Sequence, residues 1–287
     1  MTVWEAILLG IIQGIFMFFP VSSTSHLALT QHWLISRGSE IPSPDSPEMI
    51  FFDLIVHVGT LVSMAVVFRK SLREFIGHLA AGVRSRFAET ESGYERLYLK
   101  LAAYGLLSVA ATGLIGFPLK AAFETIFASP LVMSGTLTVT GILLWWTDVL
   151  SRRPIGLRKI NTRVALAIGV GQGLALMPGL SRSGTTIAFA LFAGLKRRWA
   201  AEYSFFIAFP TILGASALQG LEVARAPEPM TLHWAPILVG FVVAAIVGVF
   251  ALYLVLKLLY RARFRYFSFY VWALALVVAW SAHRGIL

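Results

Sequence analysis

Two short segments carry the side chains that can do chemistry in an otherwise apolar chain. The first, PVSSTSH at residues 20–26, places four hydroxyls in a row before a histidine. The second, PGLSRSGTT at residues 178–186, surrounds one arginine with serine and threonine. Both segments interrupt runs of residues that belong in hydrocarbon. Hydroxyl, imidazole and guanidinium groups brought together are suited to phosphate binding and phosphoryl transfer.

Arg182 is the most informative single residue, because no other Lys or Arg lies deep within an apolar region. A charge at that depth costs on the order of 3 kcal/mol and usually marks function. Its planar fork suits phosphate oxygens, and the start of a helix after Gly184 favours anions. Pairing with a buried carboxylate is the alternative, but neither segment has an acid in its interior. We therefore predict phosphate contacts from the second segment: Ser181, Arg182, Ser183, Gly184 and Thr185.

The first segment is predicted to line a small wet cavity opposite Arg182. Its hydroxyl residues are Ser22, Ser23, Thr24 and Ser25. Ser23 is the best candidate for direct phosphate contact, although one or two of the four are expected to cap a helix instead. His26 has three interpretations: a nucleophile, a general acid, or a hydrogen-bonded core residue.

Other ionisable residues have weaker signals. Asp53 and His57 are spaced i, i+4 and share a helix face, so a proton relay is one interpretation and a helix cap at Asp53 is the other. Glu202 and Asp148 lie near the ends of apolar runs, where we expect them to be solvated or paired. No cluster has the spacing of a metal site, although a Mg²⁺ held through a diphosphate needs few protein ligands.

Composition places the chain in a membrane. Of its 287 residues 57% are hydrophobic and only 13% are charged, about half the charged fraction of soluble domains. The net charge of +10 does not indicate nucleic-acid binding, because the basic residues cluster in short loops between apolar runs. The sequence has no cysteine, which excludes disulfides and thiol chemistry. The MTVWEAILL terminus lacks a basic n-region and is predicted to be mature sequence.

Eight apolar regions account for most of the chain. A spanning helix needs about 20 apolar residues. Six stretches qualify: 50–68, 101–117, 130–150, 200–216, 233–256 and 266–282. Two more regions, 3–36 and 164–195, are interrupted midway by Pro, Gly and Ser.

The basic residues predict orientation. Four connecting segments (69–100, 151–163, 196–198 and 257–265) together carry nineteen Lys and Arg, and the other three (37–49, 118–129 and 217–232) carry three. Basic loops face the cytoplasm. Region 164–195 has basic loops at both ends, so it must enter and return on the cytoplasmic side. Region 3–36 leads to an outer loop, and we expect it to enter and return from outside.

The same reasoning predicts an inverted repeat of two halves, 1–150 and 151–287, each with one hairpin and three spans. GIIQGIFMFFPVSSTS resembles GVGQGLALMPGLSRSG, with Gln13 opposite Gln172. The predicted fold is an all-α integral membrane protein with six transmembrane helices and two re-entrant helical hairpins. A site is expected near the midplane, where the hairpin tips meet.

The segments QGIFMFFPVSSTSHL, FFDLIVHVGTL and PGLSRSGTT together resemble the signatures of the undecaprenyl-diphosphate phosphatase (bacitracin-resistance) family. The resemblance runs in order through essentially the whole chain. It implies a multi-pass enzyme of the bacterial inner membrane that removes the terminal phosphate of C55 polyprenyl diphosphate and recycles the carrier lipid for peptidoglycan synthesis. It also implies that Ser23, His26 and Arg182 are catalytic, and it is compatible with a homodimer.

The resemblance fails at one position. The family's first signature normally has two glutamates four residues apart, and here those positions hold Gln13 and Met17. Gln13 is a mild change that still suits substrate binding, but a thioether can neither bind Mg²⁺ nor transfer a proton. Three hypotheses follow. Another acid such as Asp53 or Glu202 substitutes, the protein is a weak phosphatase, or it binds or transports polyprenyl phosphate without hydrolysing it.

Overall fold

The computed structural model describes residues 1–44, 46–87, 93–123, 129–149, 153–225, 233–261 and 263–284. These residues form eleven α-helices and no strand, which confirms the all-α prediction. The helices are α1 Val3–Phe16, α2 Ser23–Ser36, α3 Pro47–Val67, α4 Arg69–Phe87, α5 Gly93–Phe123, α6 Pro130–Val149, α7 Thr162–Leu174, α8 Arg182–Phe192, α9 Arg197–Ala224, α10 Trp234–Arg261 and α11 Arg265–His283.

Within the described residues, six helices are long and apolar enough to cross a membrane, namely α3, α5, α6, α9, α10 and α11. Each overlaps one of the six predicted spans, although α5 extends beyond the predicted 101–117 at both ends and α9 ends well after the predicted residue 216. The protein is therefore a multi-pass membrane protein. Helix α4 was not predicted, because its apolar residues are separated by charged ones and its sequence indicates only a basic connection.

The two interrupted regions fold as pairs of short helices. Helices α1 and α2 have 14 residues each, α7 has 13 and α8 has 11, so none of the four is long enough to span a bilayer. Each pair reverses direction where the sequence changes to Pro, Gly and Ser. The entry of these hairpins from opposite sides of the membrane remains a prediction.

Local signals explain where the helices begin. Thr2 and Glu5 form a capping box at α1, and Ser46 caps α3 ahead of Pro47. The Asn161 side chain accepts from the Val164 N–H at the start of α7. Each of these side chains satisfies a backbone N–H that the first helical turn leaves without a partner.

Paired glycines let the first helix of each hairpin pack closely on a long helix. Helix α1 packs on α10, where a Cβ at Gly10 or Gly14 would lie 2.8 or 3.0 Å from the nearest α10 backbone oxygen. Helix α7 packs on α5, where Gly169 approaches the Ser108 carbonyl in the same way and Gly173 contacts Ile115. Glycines four residues apart are a common device for close helix packing in membranes.

The first helix of each hairpin contacts the middle span of the other predicted half: α1 contacts α10, and α7 contacts α5. Gly10 and Gly14 bracket Gln13, just as Gly169 and Gly173 bracket Gln172. Both glutamines are completely buried. An inverted repeat would produce this exchange of contacts between its two halves. The repeat itself remains a prediction.

Candidate active site

The tip of the first hairpin is held by Ser22 and His26. Ser22 has φ 68°, a left-handed conformation that is strained for a residue with a side chain. Its carbonyl accepts a hydrogen bond from His26 Nδ1 at 2.7 Å, and its hydroxyl lies 2.9 Å from Ser25 Oγ and 3.4 Å from Thr24 Oγ1. The hydroxyl of Ser25 is thus used within the tip. Ser23, the first residue of α2, instead directs its hydroxyl toward the Met17 sulfur, 3.9 Å away.

The tip of the second hairpin is anchored to α6. Gly179 has φ 88°, and a Cβ there would lie 1.9 Å from Thr136 Oγ1, so this turn requires glycine. The Thr140 hydroxyl donates to the Gly179 carbonyl and accepts from the Ser181 N–H. Ser181 Oγ in turn accepts from the Gly184 N–H and caps α8. Ser181 is therefore a helix cap that places Arg182 at the start of α8.

The two tips meet, as the sequence predicted. Ser183 Oγ donates to the Phe19 carbonyl at 2.9 Å. A Cβ built at Gly184 would lie 3.2 Å from Pro20 Cβ, so the backbones are almost in contact. Thr185 is buried next to them, and its hydroxyl has no partner among the described residues. The tips of the two hairpins are thus in direct contact.

The donor cluster, which we define as Gln13 Nε2, Ser23 Oγ and Arg182 Nη2, converges on the sulfur of Met17. Gln13 Nε2 and Arg182 Nη2 each lie 3.4 Å from Sδ, and Ser23 Oγ lies 3.9 Å from it. Because Ser23 Oγ lies 3.9 Å and Arg182 Nη2 lies 3.4 Å from the same sulfur, these two atoms are no more than 7.3 Å apart. A thioether is a weak acceptor, whereas a phosphate oxygen would accept strongly from all three groups.

Arg182 has no carboxylate partner in the parts of the chain that the structure describes. The ion pairs found there join Arg197 to Asp148 and Arg198 to Glu202. The prediction that Asp148 and Glu202 are paired is confirmed. An arginine with no acid to neutralise it, half-buried between two hairpins, favours binding an anion.

His26 is engaged at both ring nitrogens. In the neutral ring, Nδ1 donates to the Ser22 carbonyl and Nε2 therefore accepts from the Tyr270 hydroxyl, each at 2.7 Å. The ring also stacks on Phe16, with centroids 3.8 Å apart. The lone pair that a nucleophilic histidine needs is thus occupied. Sequence reasoning missed Tyr270, because nothing in a pattern joins residues 244 positions apart.

Asp53 and His57 form neither the side-chain relay nor, at Asp53, the helix cap that the sequence left open, because α3 is capped by Ser46. His57 Nδ1 bonds to the Asp53 backbone carbonyl at 2.7 Å, while the Asp53 carboxylate accepts from Gln31 Nε2 at 2.9 Å. The Glu202 carboxylate accepts hydrogen bonds from the Tyr260 hydroxyl and from Arg198 Nε. Neither acid takes the place of the missing carboxylate at Met17, because each is bonded elsewhere.

The residues at the hairpin tips do not fit a Mg²⁺ site held by the protein. Mg²⁺ prefers carboxylate and phosphate oxygens, whereas the donor cluster offers an amide N–H₂, one hydroxyl and a guanidinium around the Met17 thioether. Across the described residues, no three acidic or histidine side chains are grouped so that they could hold an ion. We derive no catalytic step through a metal.

Two cavities lie near the site. A cavity of about 10 Å³ is lined by Arg182, Gln172 and Ser204. A larger cavity of about 280 Å³ lies among α3, α4, α5 and α9 and is mainly aromatic. Phe205 belongs to the wall of both. We place the site at the hairpin tips rather than in the larger cavity, because the polar groups converge at the tips.

Comparison with known proteins identifies one family along most of the chain. The protein family described as Bacitracin resistance protein BacA matches residues 6–277. The chain belongs to this family. An undecaprenyl-diphosphatase of Alkalilimnicola ehrlichii is 59% identical over 279 residues, covering 97% of this chain and 96% of the relative. One of Halorhodospira halophila is 53% identical and covers 97% of each chain, and one of Alkaliphilus metalliredigens is 34% identical with 97% and 98% covered.

The resemblance predicts a glutamate at the position of Met17. A carboxylate there would accept from Gln13, Ser23 and Arg182, which now surround the Met17 sulfur. That a glutamate is usual at this position remains a prediction.

Proposed function

We propose that this protein is an undecaprenyl-diphosphatase of the bacterial cytoplasmic membrane. It hydrolyses the terminal phosphate of a polyprenyl diphosphate, and it thereby recycles the carrier lipid for peptidoglycan synthesis and confers bacitracin resistance. The donor cluster is the observation that supports this proposal, because it offers an arginine, an amide and a serine to one anionic group. The relatives' names supply the substrate class.

Each residue at the tips has a proposed role. Arg182 binds the diphosphate and stabilises the charge that develops on the transferring phosphoryl group. Gln13 and the N–H groups at the start of α8 add neutral donors. Ser23 Oγ attacks the terminal phosphorus as its proton passes to a phosphate oxygen, the bond to the bridging oxygen breaks, and polyprenyl phosphate leaves. Water then attacks the phosphorus of the phosphoserine, the bond from Ser23 Oγ to phosphorus breaks, and inorganic phosphate leaves as the Ser23 hydroxyl takes back a proton. His26 holds the tip in shape through the Ser22 carbonyl and remains neutral in the Tyr270 hydrogen bond.

The test is release of inorganic phosphate from undecaprenyl or farnesyl diphosphate by the purified protein in detergent, with and without Mg²⁺. Phosphate release proportional to protein concentration is the expected result. Absence of release at every protein concentration, with retained binding of polyprenyl phosphate, would contradict the enzyme and indicate a lipid-binding or transport protein.

A further inference from the structure

Helix α4, Arg69–Phe87, is strongly amphipathic and is not among the six helices of the described residues that are apolar enough to span a membrane. It begins directly after α3 ends at Val67, with Phe68 as the single residue between them. The Phe68 carbonyl accepts from the Leu72 N–H, so the chain passes from one helix straight into the next. Because α3 is long enough to span a bilayer, α4 starts close to the membrane boundary.

One face of α4 packs on α5. The rings of Phe75 and His78 both contact the Tyr98 ring, with centroids 5.9 and 4.6 Å away. Further along the helix, a Cβ built at Gly82 would lie 3.1 Å from Leu99 Cγ. These contacts fix the rotation of α4 about its axis, and they therefore determine which of its residues point away from the protein.

An exposed apolar stripe, which we define as Ile76, Ala80 and Val83, runs along α4 beside the face that packs on α5. The three residues are spaced i, i+4 and i+7 and so share one side of the helix. Ile76 is 63% exposed and Val83 is 46% exposed, and Ala80 is exposed as well. Apolar residues in this arrangement, on a helix that starts at the membrane boundary, are suited to contact with hydrocarbon.

A basic row, which we define as Lys70, Arg73 and Arg84, lies roughly a quarter turn from the apolar stripe. All three side chains are exposed. None of them forms an ion pair with an acid among the described residues. Glu74 is the only acid in the sequence of α4, so this side of the helix carries an excess of positive charge.

We infer that α4 lies in the surface of the bilayer, with its apolar stripe among the acyl chains and its basic row bound to anionic phospholipid headgroups. A helix with apolar residues on one side and Lys or Arg on the next is typical of segments that lie in the membrane interface. Cations held at that level attract anionic lipids. This inference does not depend on the proposed function.

A second copy of the chain suits this surface less well than a membrane does. A symmetric contact places the same surface of both copies together. Across the apolar stripe it would bring two basic rows close to each other, and each helix has only Glu74 to offset that repulsion. An anionic lipid surface complements both the stripe and the row.

A fluorescent label can test the contact, because the chain has no cysteine of its own. Ile76→Cys places a bimane label in the apolar stripe. Ala81→Cys is the matched control, since Ala81 is exposed on the same helix but lies seven residues after Glu74, on the side away from the stripe. Each full-length protein is placed in nanodiscs of phosphatidylcholine with a minor fraction of phosphatidylglycerol. The measurement is quenching of bimane by brominated acyl chains, carried at equal mole fraction either by phosphatidylglycerol or by phosphatidylcholine.

We expect strong quenching of the label at position 76 and weak quenching at position 81. At position 76, brominated phosphatidylglycerol should quench at least about twofold more than brominated phosphatidylcholine. Adding Arg73→Gln and Arg84→Gln to Ile76→Cys should abolish this preference while the quenching itself remains. High salt should weaken the preference in the same way.

Three results would overturn the inference. Equal quenching at positions 76 and 81 would show that the apolar stripe does not face the acyl chains. Equal quenching by the two brominated lipids, or a preference that survives Arg73→Gln with Arg84→Gln, would show that the basic row does not bind anionic headgroups. A label at position 76 that lipid does not quench, but whose emission changes when two copies share one disc, would identify a contact between copies instead.

Discussion

The Met17 sulfur lies where three hydrogen-bond donors of the site converge. Gln13, Ser23 and Arg182 all approach it, although a thioether accepts only weakly. At the residue scale three donors thus surround a weak acceptor, at a position where the family resemblance predicts a glutamate. Position 17 should therefore control the rate of phosphoryl transfer more than it controls folding.

Restoring the acid should raise the activity. In Met17→Glu, a carboxylate would accept from the same donors and could serve as a general base, so we expect phosphate release to rise roughly tenfold to a hundredfold. Met17→Leu is the control, since it removes the sulfur and adds no charge. The measurement is the steady-state rate of phosphate release by each of the two purified variants. Equal rates in both would contradict a catalytic role for this position.

The identity of the nucleophile can be read from the intermediate. His26 Nε2 is occupied by the Tyr270 hydroxyl, whereas the Ser23 hydroxyl has only a 3.9 Å contact with sulfur. We predict an acid-stable phosphoserine after rapid quenching with a substrate labelled in its terminal phosphate. Tyr270→Phe should leave this species unchanged. An acid-labile, base-stable phosphoenzyme would instead identify His26.

At the element scale, helices α1 and α7 present the two buried glutamines because paired glycines let them approach α10 and α5 closely. The Pro, Gly and Ser residues that interrupt two apolar regions predicted both hairpins from sequence. The position of Arg182 deep within an apolar region predicted a functional role for it. The hydrogen bond from Tyr270 to His26 could not be predicted, because it depends on how α11 packs beside the first tip. Helix α4 was not predicted for a different reason. Charged residues lie between its apolar residues, so its sequence indicated only a basic connection.

The glycine contacts predict a selective loss of stability. A methyl group at Gly10 would lie 2.8 Å from the Gly240 carbonyl, so Gly10→Ala should cost about 1–3 kcal/mol and lower the melting temperature in detergent. It should also lower activity, because α1 carries Gln13 and Met17. Gly77→Ala on α4 is the matched control. It has no neighbour within 4 Å and should be neutral or slightly stabilising.

At the scale of the whole molecule, the basic loops predict which ends of the helices face the cytoplasm. The described residues provide six helices long enough to span a membrane and two pairs of short ones. Hydropathy predicted the number of long helices, because a bilayer requires a minimum apolar length of each. It did not predict the limits of α5 and α9, which continue past their apolar stretches. The opposite entry of the two hairpins depends on the positions of the loops, and labelling can test it.

The absence of cysteine makes such labelling straightforward. Ser43→Cys lies in the predicted outer connection, and Lys159→Cys lies in a basic connection; both side chains are exposed. A membrane-impermeant maleimide should label Ser43→Cys in spheroplasts and label Lys159→Cys only after permeabilisation. The reverse pattern would invert the topology and place the first hairpin on the cytoplasmic side.

The most direct measurement of the central claim is the initial rate of phosphate release from undecaprenyl diphosphate by four purified proteins. These are the wild type, Ser23→Ala, Arg182→Ala and, as a control, Arg158→Ala, which changes an exposed arginine stacked on Tyr94. Our account predicts that the wild type and Arg158→Ala release phosphate at similar rates, and that the two tip variants are at least about a hundredfold slower. A rate in Arg182→Ala within about twofold of the wild type would contradict the account, because the guanidinium would then have no part in stabilising the transferring phosphate.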